Sequence, residues 1–260
     1  MATIVTLTTD FGTRDPYAAA VKGVLLAGCP GASVVDLSHE IGPQDVVEGA
    51  LFLAQAAPWF PAGSVHLAVV DPGVGTARRP IAARAGAHLF VAPDNGLLSL
   101  ALRRLPLEEA RVIDPTRLDR SAEESATFHA RDIFAPAAAA LACGRPLADL
   151  GPEAGSLLPL GLPEPQQLAG VVRGEIIHVD RFGNLVSNID EGALGGRGCS
   201  RVEIGGRRIG PLRRVYGDAE PGGLLALWNS AGLLEVAVRE GSAAAALGAG
   251  RGARITARRS

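Results

Sequence analysis

An apolar run that ends abruptly in a carboxylate constrains the fold of this chain more than any other feature. Residues 65–70 read as a strand, Asp71 follows directly, and a Pro/Gly turn at 72–75 leads to Arg78. Parallel sheets bury both faces of their strands, and their ligands bind at the carboxyl ends of those strands. The segment therefore predicts an α/β sheet with a charged site at one edge. Asp71 and Arg78 would contribute to that site, with Arg79 as a solvated neighbour.

Strand and helix signals alternate along the first 160 residues. Short β-branched or apolar runs predict strands at 3–9, 33–37, 64–70, 81–85 and 88–92. Helical patterns occur at 17–27, 45–57, 96–105 and 132–143. Asp15 and Pro16 are expected to be the N-cap and the first position of the first helix. This alternation predicts an α/β domain at 1–160 with a mostly parallel, helix-covered sheet.

Prolines interrupt this pattern after residue 151. Residues 161–172 are predicted to form a Pro-rich linker. From 173 to 260 the pattern is all β, with hairpin turns at Gly205-Gly206 and at 229–232 and strands at 174–179, 185–189, 202–204, 207–209, 224–228, 233–238 and 253–257. Short strands at this density predict a small all-β, barrel-like domain.

Composition excludes several classes of protein. The chain has 260 residues, 47% of them hydrophobic, and a formal net charge of −2, which argues against disorder and against a basic surface for nucleic acid. No apolar run approaches the roughly 20 residues that span a membrane, and the N-terminus reads as a strand rather than a signal peptide, so we expect a cytoplasmic protein. Cys29, Cys143 and Cys199 are odd in number and far apart. We expect them to be buried free thiols rather than a disulfide or a metal site.

Carboxylates follow several of the predicted strands, which is more than turn capping requires. They are Asp10, Asp36, Asp71 and Asp94. Asp10 can accept hydrogen bonds from both hydroxyls of a ribose, although it can also cap a turn. Asp71 and Arg78 either form an ion pair that only fixes a loop or build a site. The glycines of the intervening turn favour a site, because they would let a ligand approach backbone amides closely.

Two further segments carry side chains suited to a ligand. His129 lies among charged neighbours ahead of an apolar helix, and no HxH or HxxxH spacing occurs, so no metal ligands are predicted. Further along, Asp180 can hold an ammonium group, Phe182 can stack on a base and Asn184 can read a base edge. Gly183-Asn184 is also an ordinary turn dipeptide, and taken alone this segment favours a hairpin turn.

Five ordered motifs together resemble the S-adenosyl-L-methionine hydroxide adenosyltransferases, which are relatives of the fluorinase and chlorinase enzymes. Each motif is weak alone, and the resemblance extends from Ile4 to about Ala245. The motifs are Thr9-Asp10-Phe11-Gly12, Val70-Asp71-Pro72-Gly73-Val74-Gly75-Thr76, Pro93-Asp94-Asn95-Gly96, Phe128-His129-Ala130-Arg131-Asp132 and Asp180-Arg181-Phe182-Gly183-Asn184.

The resemblance implies an α/β N-terminal domain, a β C-terminal domain and a homotrimer, with sites between the N-terminal domain of one subunit and the C-terminal domain of the next. It implies hydrolysis of S-adenosyl-L-methionine to adenosine and L-methionine without a metal or cofactor. The family's catalytic set maps onto Asp71, Arg78 and His129. Its substrate contacts map onto Asp10 for the ribose, Asp15, Asp180 and Ser230 for methionine, and Phe182 and Asn184 for adenine, with Asn95 in a matching motif.

Departures from the halogenating branch favour water as the nucleophile. The halogenating enzymes are expected to carry Tyr at the positions of Asp71 and His129, a halide-contacting Ser at that of Ala130, and Arg at that of Ala231. We hypothesise that Asp71, Arg78 and His129 hold one water in line with the C5′–S bond and that either Asp71 or His129 takes its proton. The alternatives are a halide (chloride) adenosyltransferase and a non-catalytic protein that binds S-adenosylmethionine or adenosine.

Overall fold

The chain folds into two compact units. The computed structural model describes residues 3–119, 125–195 and 199–259. Unit 1 is Met1–Gly161 and unit 2 is Leu162–Ser260. None of the helices in these described ranges is both long enough and apolar enough to cross a membrane.

Unit 1 is built on a mixed sheet. Its strands are β1 (Ile4–Thr9), β2 (Ser33–Ser38), β3 (Val65–Val69), β4 (Pro80–Ala85), β5 (His88–Pro93) and β6 (Leu107–Val112). They lie in the order β2–β1–β3–β5–β4–β6. β1, β2, β3 and β5 run parallel, whereas β4 is antiparallel to both of its neighbours. The carboxyl ends of the parallel strands therefore share one edge of the sheet, and Asp10, Asp71 and Asp94 follow there.

Helices cover both faces of this sheet. They are α1 (Tyr17–Gly28), α2 (Val46–Ala56), α3 (Ser99–Arg104) and α4 (Ala135–Ala142). Alternate residues of β3 point to opposite faces. Its odd-numbered residues pack into a core with α1 and α4, and Ala68 and Val70 pack into a second core with α2 and α3. This double burial explains why the run at 65–70 is almost wholly apolar.

The helix starts differ from those expected. Pro16 itself is the residue before α1, and no side chain caps the helix, so the predicted Asp15 cap is wrong. The reason is that Asp15 lies one residue too early to reach the first free amides. Asp45, by contrast, caps α2 by accepting a hydrogen bond from the Glu48 amide at 3.0 Å. The helix predicted at 132–143 is α4 preceded by a π-helical turn, Ala130–Phe134.

A buried polar row crosses the other end of the unit 1 sheet. His66 Nδ1 lies 2.8 Å from the Thr6 hydroxyl, and His66 Nε2 lies 3.1 Å from His88 Nδ1. The His66 ring stacks on Phe90, with centroids 5.0 Å apart. Burial, reinforced by the neighbouring His88, lowers the pKa of His66 to about 3. His66 is therefore a neutral, hydrogen-bonded part of the core at physiological pH.

The structure corrects the expectation that the cysteines are all free. Cys29 and Cys143 form a disulfide, with Cα atoms 5.7 Å apart, which joins the carboxyl ends of α1 and α4. The two helices pack closely: a Cβ added at Gly28 would lie 2.8 Å from the Ala139 Cβ. A sequence separation of 114 residues hid this neighbourhood. Cys199 is a free, buried thiol, and burial raises its pKa.

Unit 2 is an antiparallel β domain. Its strands are β7 (Gln166–Leu168), β8 (Val171–Val179), β9 (Leu185–Asp190), β10 (Cys199–Ile204), β11 (Arg207–Gly210), β12 (Leu224–Trp228), β13 (Leu233–Val238) and β14 (Arg254–Arg259). They lie in the order β11–β10–β14–β8–β9–β13–β12, with β7 on β8. A bridge between Leu212 and Ala226 brings the segment after β11 to β12, so the sheet is nearly closed.

Two elements of unit 2 lie outside the predicted strands. The segment 161–172, predicted as a linker, contains β7 and the first residues of β8. A short helix, α5 (Ala243–Leu247), follows β13, and the Ser242 hydroxyl caps it by accepting from the Ala245 amide at 3.1 Å. The predicted architecture of an α/β domain followed by an all-β domain is otherwise observed.

Candidate active site

A charged triad forms where β3 ends. Asp71 follows β3 and Arg78 precedes β4, while His129 precedes the π-helical turn. Arg78 Nε donates to both carboxylate oxygens of Asp71, at 3.0 and 2.8 Å, and Arg78 Nη2 donates to Oδ2 at 2.5 Å. Arg78 Nη2 also donates to Nδ1 of His129, at 2.8 Å. The side chains of Asp71 and Arg78 are only 6% and 9% exposed, which strengthens their attraction relative to water.

The contact with Arg78 determines the tautomer of His129. A guanidinium has donors and no acceptor, so His129 Nδ1 must accept, and the proton of the neutral ring is then on Nε2. The guanidinium carbon of Arg78 also lies 5.1 Å from the ring centroid of Phe134, within cation–π range. Arg78 is thus held by the carboxylate of Asp71 and by an imidazole and an aromatic ring that both come from the segment 129–134.

The glycine turn between Asp71 and Arg78 is shaped by protein packing. Gly75 has φ +78°, and a Cβ there would lie 2.7 Å from the carbonyl oxygen of Ala126. A side chain at Gly75 would therefore be both strained and in collision with the backbone that leads to His129. The close approach predicted for a ligand at this glycine is made instead by the chain itself.

Arg79 is not the solvated neighbour that the sequence suggested. Its Nε donates to Asp94 Oδ2 at 2.9 Å, Nη1 donates to the Ala154 carbonyl at 2.6 Å, and Nη2 donates to the Ser156 carbonyl at 2.7 Å. Asp94 Oδ1 accepts from the Leu158 amide at 2.8 Å. The Arg79–Asp94 pair therefore anchors the segment 154–158 to the strand ends, which is a structural task.

The predicted substrate residues of unit 1 differ in how many of their polar atoms are already hydrogen-bonded within the protein. Asp10 Oδ2 accepts from the Gln44 amide at 2.8 Å, whereas Asp15 is exposed. Asn95 donates from Nδ2 to the Val70 carbonyl at 2.8 Å and accepts from the Leu97 amide at 3.2 Å. Nδ2 of Asn95 thus binds the backbone directly before Asp71, and its Oδ1 orders its own turn, so the link of Asn95 to the triad is indirect.

In unit 2 the Asp180 carboxylate organises its own loop. Oδ1 accepts from the amides of Phe182 and Asn184 at 2.9 and 2.8 Å, and Oδ2 accepts from Asn184 Nδ2 at 2.9 Å. The turn predicted for this segment is real, because the Gly183 amide also donates to the Asp180 carbonyl at 2.9 Å. The ring of Phe182 is 75% exposed, so the loop presents an unburied aromatic surface.

The hairpin between β12 and β13 carries Ser230, which is exposed. Asn229 Oδ1 accepts from the amides of Ala231 and Leu233 at 3.0 and 3.1 Å, which orders the loop. Asn229 Nδ2 donates in turn to the buried carboxylate of Glu235 at 3.2 Å, and the Tyr216 hydroxyl donates to the same carboxylate at 2.8 Å. Glu235 is a single carboxylate within a β run, and no motif around it in the sequence marks it as functional.

Comparisons with known proteins divide the chain in the same way. Residues 5–151 match the family model for the SAM hydroxide adenosyltransferase N-terminal domain, and residues 174–256 match that for the C-terminal domain. The chain belongs to the SAM hydroxide adenosyltransferase family. The membership predicted from the ordered motifs is confirmed.

Named relatives of this family member fall into two groups. It is 48% identical over 249 residues to a Thermus thermophilus protein named (R)-S-adenosyl-L-methionine hydrolase, covering 92% of this chain and 93% of that protein. It is 32% identical over 213 residues to a fluorinase of an Actinoplanes species, covering 72% of this chain and 71% of the fluorinase. A crystal structure of a Thermotoga maritima protein matches with a TM-score of 0.90 at 35% identity, covering 98% of this chain and 100% of that one.

A group of three aromatic rings in this family member was not predicted from its sequence. The ring centroids of Phe11 and Phe128 are 6.1 Å apart, and Tyr17 lies 6.1 Å from Phe11 and 5.4 Å from Phe128. Arg131 lies over the Phe128 ring at 5.0 Å. The sequence does place two of these rings next to predicted site residues, since Phe11 follows Asp10 and Phe128 precedes His129. These rings offer an electron-rich wall suited to an apolar or cationic group.

The described residues also bear on metal binding. Across 3–119, 125–195 and 199–259, no three His, Cys, Asp or Glu side chains come together in a way that could hold a metal ion.

Proposed function

We propose that this chain hydrolyses S-adenosyl-L-methionine to adenosine and L-methionine by attack of water at the ribose C5′. The observation that carries the proposal is the shielded Asp71–Arg78–His129 triad at the end of β3. The family membership supports it, as does the Thermus thermophilus relative, whose name states a hydrolase acting on this substrate.

The substrate supplies its own leaving group. The sulfonium sulfur withdraws electrons from C5′, so a new O–C5′ bond forms while the C5′–S bond breaks and its electron pair returns to sulfur. Methionine therefore leaves as a neutral thioether and needs no acid. The protein has to hold one water in line with the breaking bond and accept its proton, and positioning of this kind supplies several kcal/mol of rate enhancement.

Asp71 is the proton acceptor in this proposal. His129 uses its Nδ1 lone pair to accept from Arg78 and carries its proton on Nε2, so in this state it has no basic lone pair for water. The Asp71 carboxylate keeps lone pairs beyond those that face Arg78. A carboxylate suffices as the base, because water becomes strongly acidic as it bonds to carbon. Arg78 stabilises the charge that develops on the nucleophile.

The same residues disfavour a halide as the nucleophile. A halide would have to approach the Asp71 carboxylate, which repels an anion, and Ala130 has no hydroxyl to donate to it. Ala130 is buried directly after His129 in the chain, and its methyl group cannot donate a hydrogen bond.

The remaining predicted residues bind the parts of the substrate. Asp10 accepts from the ribose hydroxyls, the Phe182 ring stacks on adenine and Asn184 reads its edge. Asp15, Asp180 and Ser230 bind the methionine portion, and Asn95 fixes the backbone beside Asp71. We extend the proposal to a homotrimer in which neighbouring subunits supply the two sets of residues. This assembly rests on the family resemblance.

The deciding experiment is product analysis. The protein is incubated with S-adenosyl-L-methionine alone, with added chloride and with added EDTA, and products are separated by chromatography. We expect adenosine and L-methionine in equal amounts under all three conditions. Formation of 5′-chloroadenosine would instead identify a halide adenosyltransferase, and loss of activity with EDTA would contradict metal-independent hydrolysis. Binding without turnover would identify a non-catalytic protein.

A further inference from the structure

The Glu235 carboxylate is buried in the sheet of unit 2 and is 3% exposed. It lies in β13, where its Oε1 accepts from the Tyr216 hydroxyl at 2.8 Å and its Oε2 accepts from Asn229 Nδ2 at 3.2 Å. Burial of an ionised carboxylate is unfavourable unless donors compensate it. Packing alone does not explain a carboxylate at this position, since burial of an apolar side chain there would stabilise the fold more.

The chemistry of the partners explains why an acid stands at this position. Asn229 Nδ2 can only donate, so the atom that faces it must be an acceptor. A carboxylate presents acceptors to both partners, whereas a glutamine side chain offers one acceptor and one donor. A Gln at 235 could keep its oxygen on Asn229 Nδ2 only by donating its amide to the Tyr216 hydroxyl, which would then lose the acceptor for its own proton. An apolar residue such as Met would leave both donors without an acceptor.

Asn229 transmits this contact to the loop that carries Ser230. Its Oδ1 accepts from the amides of Ala231 and Leu233, and its backbone amide donates to the Leu233 carbonyl at 3.0 Å. A single side chain thus closes the loop on one side and is tied to Glu235 on the other. A shift of Asn229 would move the exposed Ser230 without disturbing the paired strands.

The Asp180 loop lies next to this arrangement. Residue Glu235 of β13 pairs with Val186 of β9, and Val236 pairs with Leu185, which directly follows the 180–184 loop. Burial raises the pKa of the Glu235 carboxyl and the charge of Asp180 adds to the rise, while hydrogen bonds from Tyr216 and Asn229 oppose it. The two loops that carry the proposed methionine contacts therefore lie at opposite ends of the β9–β13 pair, and Glu235 lies between them.

We propose that Glu235 is a positioning residue that, through Asn229, sets the hairpin carrying Ser230 for recognition of the methionine end of the substrate. This inference rests on the proposed function, because it assigns a role within the same site. Adenosine lacks the amino-acid portion and does not depend on that hairpin. Loss of Glu235 should therefore weaken binding of the amino-acid part selectively.

The test compares two product affinities with the steady-state constants. Glu235→Met leaves Asn229 Nδ2 without its acceptor, so we expect the dissociation constant of L-methionine and KM for S-adenosylmethionine to rise about tenfold, as expected for a misplaced hydrogen-bonding loop. The dissociation constant of adenosine and kcat should change less than about twofold. Tyr216→Phe removes one of the two donors without altering the strand and should shift the same two constants by about threefold.

Glu203→Met is the matched control, because Glu203 is a carboxylate of the same sheet and its described ion pairs are with Arg201 and Arg208 rather than with the hairpin. It should leave all four constants unchanged. An equal rise in the adenosine dissociation constant would overturn the inference in favour of a merely structural role, as would an unchanged methionine dissociation constant in both variants. If the wild-type chain binds both products but releases no adenosine from S-adenosylmethionine, the proposed function fails while the two dissociation constants still decide the role of Glu235.

Discussion

Two arginine–aspartate ion pairs lie at the same edge of the unit 1 sheet, but they have different roles. Arg78 and Arg79 are adjacent in sequence, and each bonds a nearly buried aspartate that follows a strand, Asp71 or Asp94. The remaining donors of Arg79 go to backbone carbonyls, and the second oxygen of Asp94 accepts a backbone amide. Arg78 instead donates to an imidazole, and among the described residues no backbone amide donates to the Asp71 carboxylate.

The difference shows how a structural ion pair can be told from one available for chemistry. A pair whose spare groups are taken up by backbone holds the chain in place and has no capacity for a ligand. A pair whose third partner is a titratable side chain keeps lone pairs that a reacting water can use. The residue types alone do not separate the two cases, whereas the identity of the third partner does.

The largest expected difference is between the two aspartates. Asp71→Asn removes the proton acceptor while keeping an acceptor for Arg78, so we expect adenosine release to fall by at least about 100-fold with substrate binding largely intact. Asp94→Asn should leave the rate per folded molecule within about threefold but lower the free energy of unfolding by about 2 kcal/mol. Chromatographic rates and chemical denaturation of both variants check this. Near-normal turnover of Asp71→Asn would contradict the assignment of Asp71 as the proton acceptor.

Substitutions of the two arginines should show the same division, with activity lost at Arg78 and stability lost at Arg79, but with smaller effects than at the aspartates. A lysine ammonium cannot reproduce the fork that joins Asp71 to His129, so Arg78→Lys should lower kcat by about 10- to 100-fold. Arg79→Lys loses contacts to the segment 154–158 and should lower Tm by a few degrees with kcat unchanged. Calorimetry measures Tm and initial rates measure kcat for the two variants. Equal losses of kcat in the two variants would contradict the division of roles.

His129→Asn sharpens the choice of base. Asn Oδ1 can take the place of the imidazole Nδ1 as an acceptor for Arg78, although it cannot take up a proton near neutral pH. If Asp71 is the acceptor, kcat should fall no more than about tenfold, because the orientation of Arg78 survives. The measurement is kcat at saturating substrate beside that of Asp71→Asn. A loss as large as in Asp71→Asn would transfer the role of proton acceptor to His129.

The turn between the members of the triad offers the smallest perturbation. Gly75 and Gly63 have similar positive φ values, +78° and +84°, but only Gly75 would direct a Cβ at a backbone oxygen. Gly63→Ala should therefore lower the free energy of unfolding by about 1 kcal/mol from backbone strain alone. Gly75→Ala should lose about 1–3 kcal/mol more and reduce turnover, because the turn must move away from Ala126. Denaturant titration compares them, and equal losses would mean that the contact with Ala126 is unimportant.

Local patterns predicted most of the elements. The bounds of β12 and β13 agree with the apolar alternation on either side of the 229–232 turn, since a hairpin is encoded by neighbours in sequence. The edge strand β6 was missed because two glutamates interrupt its apolar pattern. An edge strand is paired on one side only and tolerates such charges.

Long-range neighbours could not be predicted in the same way. The sequence predicts Arg78 and His129 as site residues, yet their hydrogen bond, and with it the tautomer of His129, depends on how the chain before the π-helical turn packs against the chain before β4. The same limit concealed the partner of Arg79 and the Cys29–Cys143 disulfide. In each case the decisive contact is set by tertiary packing rather than by spacing along the chain.

The buried His66 makes unfolding of this protein a proton-uptake reaction in mild acid. Its pKa of about 3 in the folded chain lies below the value of 6.5 for an unperturbed imidazole, so only the unfolded chain binds a proton between these values. Stability from this group is complete above pH 6.5 and falls as pH drops, by about 2 kcal/mol at pH 5. His66→Gln can retain the hydrogen bonds without titrating, so its unfolding free energy should depend less steeply on pH between 7.5 and 5. Parallel slopes for the two proteins would show that His66 contributes nothing to this linkage.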